Sequence, residues 1–343
     1  MADACSHESD GWGCAGAPLQ ASQPGPRRVS LSGPVVLLAG GVGGARLGHG
    51  LQSHLGSGLV IVVNTADDLE RHGLLISDHD TVMYTLAGID NREWGWGIVG
   101  ETFAAAEMLE RYGEETWFRL GDRDLATHIV RTARLRQGDR PTDISRDLQR
   151  ALGVAAVILP MTDAPVRTEV LTDEGWLEFQ DYFVRRHQEP TVLEIRFRGL
   201  EDASATPEVE AALEHATAIV IAPSNPFVSV GPILGVSGIE AGLQTARSRG
   251  VAVVAISGIV GGRALKGPAD RMLVSLGHEA SSLGVARQYT GIADVFVLDT
   301  VDEALAAPIR ALGLRTVVTD TIMADDEGRA RLAGEVLAAA QGA

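Results

Sequence analysis

Val35-Val36-Leu37-Leu38-Ala39-Gly40-Gly41-Val42-Gly43-Gly44-Ala45-Arg46 decides the fold. Five apolar residues in a row, without polar alternation, read as a strand covered on both faces. Four glycines within the next five positions turn the chain, and Ala45 to Leu55 continues as a helix. Leu59 to Val63 is a second buried strand, ending at Asn64-Thr65-Ala66-Asp67-Asp68. Strand, glycine-rich turn, helix and strand open a Rossmann-like, doubly wound α/β fold with a mostly parallel sheet. The composition agrees. Aromatics are only 5% against 45% hydrophobic residues, so Val, Leu, Ile and Ala must fill the core.

Farther along, the same rhythm predicts strands at Ala218–Ala222, Val251–Ser257, Val295–Leu298 and Arg315–Val318. Helices are predicted at Pro207–His215, Gly238–Arg249, Asp270–Leu276, Ser281–Tyr289, Asp302–Leu312 and Asp326–Ala340. The middle differs. Phe103–Tyr112, Asp124–Gln137 and a segment from Thr142 or Asp143 to Leu152 read as helices. Val154–Leu159 reads as a strand, and Thr168–Leu171 with Trp176–Phe179 as a hairpin. The expectation is one domain over 34–343 with an α+β insertion at about 101–199. Residues 1–33 are rich in Gly, Ser, Ala and Pro without periodicity and read as a disordered tail.

The formal charge of −16 argues against nucleic acid as the main partner. Cys5 and Cys14 are the only cysteines, both in the tail, so no disulfide framework holds the body. No apolar run is long enough to span a bilayer, and no signal-peptide pattern opens the chain. A cytoplasmic protein with no membrane partner is expected.

The turn Gly40-Gly41-Val42-Gly43-Gly44 brings backbone N–H groups to a helix start, where they meet a phosphate. It lacks the Gly-Lys-Ser/Thr end of a Walker A loop. Arg46 stands where a dinucleotide fingerprint would place its third glycine, and could add a charged contact. The alternative is a plain tight turn. Asp67, Asp68, Asp78 and Asp80 gather near one sheet edge, which suits a hard cation such as Mg²⁺. An N-cap is the alternative for Asp78, and ribose binding for Asp67. Asp68 and Asp80 are favoured for metal or catalytic roles. Ser224 and Asn225, between two prolines after a strand, present hydrogen-bonding groups at the same edge. Arg263 and Lys266, the sole lysine, sit on a second glycine-rich turn and are candidate phosphate contacts. Asp124 and His128 read as an i, i+4 pair at a capped helix start. Trp94 and Trp96 either stack on a flat heterocycle or cover core.

In order along the chain, these segments resemble the 2-phospho-lactate transferase / phosphoenolpyruvate transferase family of deazaflavin coenzyme F(420) biosynthesis. The resemblance rests on Gly40 to Arg46, Val63 to Asp68, Asp78 to Tyr84, Gly121 to His128, Ala222 to Pro226 with Gly231 to Leu234, and Gly261 to Pro268. Ala66 stands where the family usually has glycine. The resemblance implies a Mg²⁺-dependent transferase of substituted phosphate groups, of EC 2.7.8 type. The donor would be guanylylated phosphoenolpyruvate or phospholactate, the acceptor the ribityl hydroxyl of the deazaflavin Fo, and the leaving group GMP. It implies that Gly40, Gly41, Gly43, Gly44, Arg46, Asn64, Ser224, Asn225, Arg263 and Lys266 hold the donor. Mg²⁺ would sit on Asp68 and Asp80, with Asp67 or Asp78 as the base, in a homodimer. Arginine dominance suggests an actinobacterial source, and in that lineage the resemblance implies the enolpyruvyl donor; the composition itself does not distinguish it from the lactyl donor. The rival readings are an NAD(P)-dependent oxidoreductase, with Asp67 or Asp68 on a ribose, and a non-enzymatic nucleotide sensor that has no use for the carboxylates.

Because residues 1–32 carry no pattern to bury, their deletion is expected to leave melting temperature and turnover unchanged. A loss of folding on deletion would show that this segment belongs to the core.

Overall fold

The computed structural model describes residues 33–342, so the tail reading lies almost wholly outside the described residues. Seven strands form the central sheet: β1 (Val35–Ala39), β2 (Leu59–Val63), β3 (Val157–Pro160), β4 (Ala218–Ile221), β5 (Val253–Ile256), β6 (Val295–Asp299) and β7 (Arg315–Thr319). Their order across the sheet is β7-β6-β5-β4-β1-β2-β3, and every pairing is parallel. The doubly wound α/β expectation is borne out.

Side chains of β1 alternate between two cores. Val36 and Leu38 enter one, while Val35, Leu37 and Ala39 enter the other. Both faces are therefore apolar, which is why the strand sequence shows no polar alternation. On one face the helix Gly41–Leu55 packs against the last helix, Asp326–Gln341, and against His79–Ala87. Among the described residues no helix is long and apolar enough to cross a membrane.

The stretch 101–199 is not a single insertion. Val157–Pro160 joins the central sheet beside β2, in register Val60↔Val157 to Val63↔Pro160. What lies outside the sheet comes in two pieces. Before β3 stand the helices Ala104–Arg111, Asp122–Arg136 and Pro141–Ala151. After β3 comes a three-stranded antiparallel sheet of Gly175–Glu178, Arg167–Thr172 and Val192–Arg198. Its third strand escaped the sequence reading. Val192–Arg198 is exposed or half-buried at all but one position, so its pattern carries little strand signal.

The β1–β4 pair is the switch point of the order. The connection from β1 runs to β2 on one side, and the next free neighbour, β4, lies on the other. Chains leave the two carboxyl ends in opposite directions there and open a crevice.

Close packing of Gly50 on the Arg329 carbonyl joins the first and last helices, with no room for a Cβ atom. Gly50→Ala is expected to destabilise by about 2 kcal/mol, as overpacking does. Gly334→Ala, whose Cβ would stand 3.6 Å from His54, should instead gain up to about 1 kcal/mol from helix propensity. Thermal unfolding of both variants checks this, and equal behaviour would contradict it.

Candidate active site

The glycine turn is tighter than the sequence indicated. Gly40 is extended, and the helix begins at Gly41, so Gly41–Gly44 form its first turn. That turn carries no acidic side chain and no side-chain cap, leaving its N–H groups and the positive helix end for a ligand. The glycines have different reasons. A Cβ on Gly43 would come 2.5 Å from the Pro223 carbonyl oxygen. On Gly40 it would meet Ser229 Cβ at 2.8 Å, and on Gly44 it would meet Ala39 Cβ at 2.8 Å. Gly41 alone has φ of +64° with open space before it. Ser224 Oγ donates to the Gly40 carbonyl at 2.7 Å and locks the β1 and β4 ends together.

A cavity of about 530 Å³ opens on this clamp, lined by Gly40, Gly41, Gly43 and Ser224. Its acidic wall comes from the segment after β2 and the start of His79–Ala87. Asp67, Asp78, Asp80 and Asp124 all line it. Buried Asn64 does not line the cavity. It donates to Asp67 Oδ2 at 3.0 Å and to the Val228 carbonyl at 3.1 Å, and so positions Asp67. Gln180 holds the Asp67 carbonyl from the other side at 2.9 Å. Asp67 Oδ1 is buried without a hydrogen-bond partner. Burial pushes the Asp67 carboxyl well above its usual range, and the charges of Asp78 and Asp68 add to this. Asp78 occupies the N-cap position but makes no capping bond. Burial, then the neighbouring Asp80, pushes it up to about 6.

Asp80 is already paired. Buried Arg131 grips both of its oxygens, one at 2.8 Å. His128 stands 3.4 Å from Asp80 and 3.2 Å from Asp124, and the Tyr84 hydroxyl donates to Asp124 at 2.8 Å. One ligand atom from each of Asp80, Asp124 and His128 falls within a 4.8 Å cluster. The guanidinium of Arg131 supplies that cluster with its positive charge.

Asp68 and Asp80 do not converge on this cavity. Asp68 accepts from Ser77 Oγ at 2.7 Å and lines a separate cavity behind the wall, where burial pushes it up to about 7. The chain turns at Ala66–Asp67, where Asp68 N donates to the Thr65 carbonyl, so Asp67 and Asp68 part company. Their adjacency in sequence hid that. Of the proposed donor contacts, Lys266 lines the cavity, and its Nζ donates to the Trp94 carbonyl at 3.1 Å. Burial lowers its pKa, and the charge of Arg46 lowers it further. Arg46 and Gly44 do not line the cavity. Arg263 is exposed on the small hairpin Ile259–Ala264 and does not line it either. Asn225 lines the cavity, but its Oδ1 accepts from Phe227 N at 2.9 Å and shapes the following helical turn.

The sequence offered Trp94 and Trp96 for stacking on a flat heterocycle, but the other five aromatic residues of the cavity walls were not seen. The chain has sixteen aromatic residues, and seven of them line this cavity, far more than chance placement gives. Trp94 and Trp96 stand 5.3 Å apart at one mouth. Phe179 and Phe183 stack at 5.5 Å and 9° on the other side. Trp117 and Phe118 lie between the two, beside Arg119. The scarcity of aromatics was the available signal. A chain so poor in them that places tryptophans in a charged, glycine-rich segment is using them outside the core.

A glycine-opened helix at the switch point of a doubly wound sheet, facing carboxylates and aromatic rings, defines a Rossmann-like α/β enzyme of the nucleotide-handling type. The family model described as 2-phospho-L-lactate transferase CofD matches residues 35–337, and the chain belongs to this transferase family of coenzyme F(420) biosynthesis. A 2-phospho-L-lactate transferase from Methanosarcina mazei is 40% identical over 308 residues, covering 89% of this chain and 100% of the relative. A phosphoenolpyruvate transferase from Streptomyces griseus is 39% identical over 315 residues, covering 90% and 98%. A UPF0052 family crystal structure from Bacillus halodurans has the same fold, with a TM-score of 0.57 at 14% identity, covering 90% of this chain and all of the other.

Gly41→Ala places a methyl group in the cavity mouth at a strain cost of about 1–2 kcal/mol. GDP affinity measured by calorimetry is expected to fall at least tenfold. Gly43→Ala should instead lower the melting temperature, because it pushes on the Pro223 carbonyl. Unchanged GDP binding by Gly41→Ala would reduce the glycine segment to a structural turn.

Proposed function

We propose that the protein transfers an enolpyruvyl-phosphate group from a guanosine diphosphate diester to the ribityl hydroxyl of the deazaflavin Fo, releasing GMP. One observation carries this reading. A single cavity joins a free helix N-terminus and Lys266, a wall of carboxylates, and a set of aromatic faces. These match a diphosphate, a reacting hydroxyl and a flat conjugated ring in turn. A nicotinamide enzyme has no use for four carboxylates on the wall facing its phosphate loop.

The hydroxyl oxygen of the acceptor attacks the phosphorus that bears the enolpyruvyl group. The bond from that phosphorus to the bridging oxygen breaks, and GMP leaves with the electron pair. Asp78, free of any capping bond, takes the hydroxyl proton. Gly41-side N–H groups and Lys266 hold the diphosphate in line, and the aromatic walls hold the acceptor ring and exclude water. Asp80, fixed by Arg131, orients the hydroxyl.

The donor set fits Mg²⁺. The wall offers hard oxygen ligands in excess of its cations, and Asp67 Oδ1 is buried and unpartnered. Asp67 would hold the ion in place of the Asp68–Asp80 pair, since Arg131 already grips both oxygens of Asp80. Bound there, Mg²⁺ would neutralise charge on the phosphate oxygens. Relatives of both names match about equally well, so the enolpyruvyl choice rests on what the resemblance implies for an arginine-rich, actinobacterial type of chain. Guanylylated phospholactate belongs in every assay as the competing donor.

Steady-state GMP release with Fo and guanylylated phosphoenolpyruvate, across a Mg²⁺ titration, tests the assignment. Asp78→Asn is expected to lose about 100-fold or more in kcat, the scale of general-base catalysis. Asp67→Asn should require more Mg²⁺, and Asp68→Asn should stay within about tenfold of wild type. Full wild-type activity in excess EDTA would sink the metal assignment. An Asp68→Asn loss equal to that of Asp78→Asn would move the chemistry to the other cavity.

A further inference from the structure

A second cavity, of about 520 Å³, lies behind the acidic wall. It shares Ser77 with the first, and its own residues Asp68 and His79 are the chain neighbours of Asp67 and Asp78. Nothing in the proposed chemistry uses it. Two of its polar side chains lack partners. His79 is only 2% exposed, yet neither ring nitrogen makes a hydrogen bond, and Thr65 Oγ1 is buried and equally unpaired. Native interiors rarely leave such groups unsatisfied unless something outside the protein satisfies them.

The charges of the lining indicate what that occupant is. Four acids line it: Asp163 is held by Arg140 and Thr142, Asp139 by Arg134, and Asp68 accepts from Ser77 and is pushed up to about 7 by burial, while Glu70 is exposed. Two lining arginines are less committed. Arg136 donates to the Gly73 carbonyl and Arg167 to the Val166 carbonyl. Of the acids near Arg167, Glu70 is exposed and stands 3.8 Å away, and Asp68 feels the charge of Arg167 while bonded to Ser77. A guanidinium has five donors, and a backbone carbonyl uses one or two of them. Cationic donors at the rim, with His79 and Thr65 unpaired inside, favour an anion that also carries hydrogen-bonding atoms. Water could satisfy His79 and Thr65, but it leaves the two arginines without a counter-charge.

We propose that this cavity is a second ligand site, for a small organic anion gripped by Arg167 and Arg136 and hydrogen-bonded by His79 and Thr65. The anionic head is a carboxylate or a phosphate.

Calorimetric titration of the full chain with malonate and, separately, with inorganic phosphate separates the two heads. At least one is expected to bind with Kd below about 1 mM. Arg167→Gln, a change at the rim that should leave the melting temperature unaltered, is expected to weaken that binding at least tenfold. His79→Leu should do the same. Lys266→Gln, in the reaction cavity, should leave it unchanged. No binding of either probe up to about 10 mM would overturn the proposal and leave the cavity to water. Binding that survives both Arg167→Gln and His79→Leu, or that Lys266→Gln abolishes, would overturn it as well, because the anion would then sit elsewhere.

Discussion

The close approach of two chain segments governs this molecule. Gly40–Gly44 leaves β1 and Ala222–Asn225 leaves β4, and they touch where the sheet changes direction. Gly43 has the Pro223 carbonyl where a side chain would be, and Ser224 bonds to the Gly40 carbonyl at 2.7 Å. These contacts hold the start of the helix against the end of β4. Most of the glycine requirement is thus a requirement for backbone contact. The ligand-facing position is Gly41, where φ is positive and the space in front is open.

On this frame the acidic wall acts as a partition with two faces. Asp67 and Asp78 look into the reaction cavity, while Asp68 and His79 look into the cavity behind. The partition is stiffened by polar contacts. Asn64 ties Asp67 to the Val228 carbonyl, Ser77 ties Asp68, and Arg131 ties Asp80. Carboxylates held in such a wall cannot relax away from one another, so burial and mutual repulsion raise their affinity for protons or cations. That is the electrostatic state on which the proposed transfer would draw.

Much of the fold was legible because the central strands are buried on both faces, and their apolar runs read plainly at Val35–Ala39, Leu59–Val63 and Val295–Asp299. Val157–Pro160 has the same character, but it stands so far from β2 in sequence that its place at the sheet edge could not be seen. The polar strand Val192–Arg198 offered no pattern to read. At the site, the segments were found and the side of the wall was not. Which of Asp67 and Asp68 faces the cavity depends on the turn at Ala66–Asp67. Arg263 and Lys266 share a turn, yet only Lys266 reaches inward. Phe179, Gln180 and Phe183 arrive from the helical turn that follows the strand Gly175–Glu178, a long-range contact that no local motif encodes.

The central claim is that the helix N-terminus and the Asp67 side of the wall face one diphosphate. The most direct test is a crystal structure with GDP, Fo and Mn²⁺, the metal located by its anomalous signal. The account predicts the diphosphate on the N–H groups at Gly41, the metal on Asp67, and the deazaflavin ring among the aromatic walls. A metal on Asp68, or a nucleotide seated away from Gly41, would contradict it.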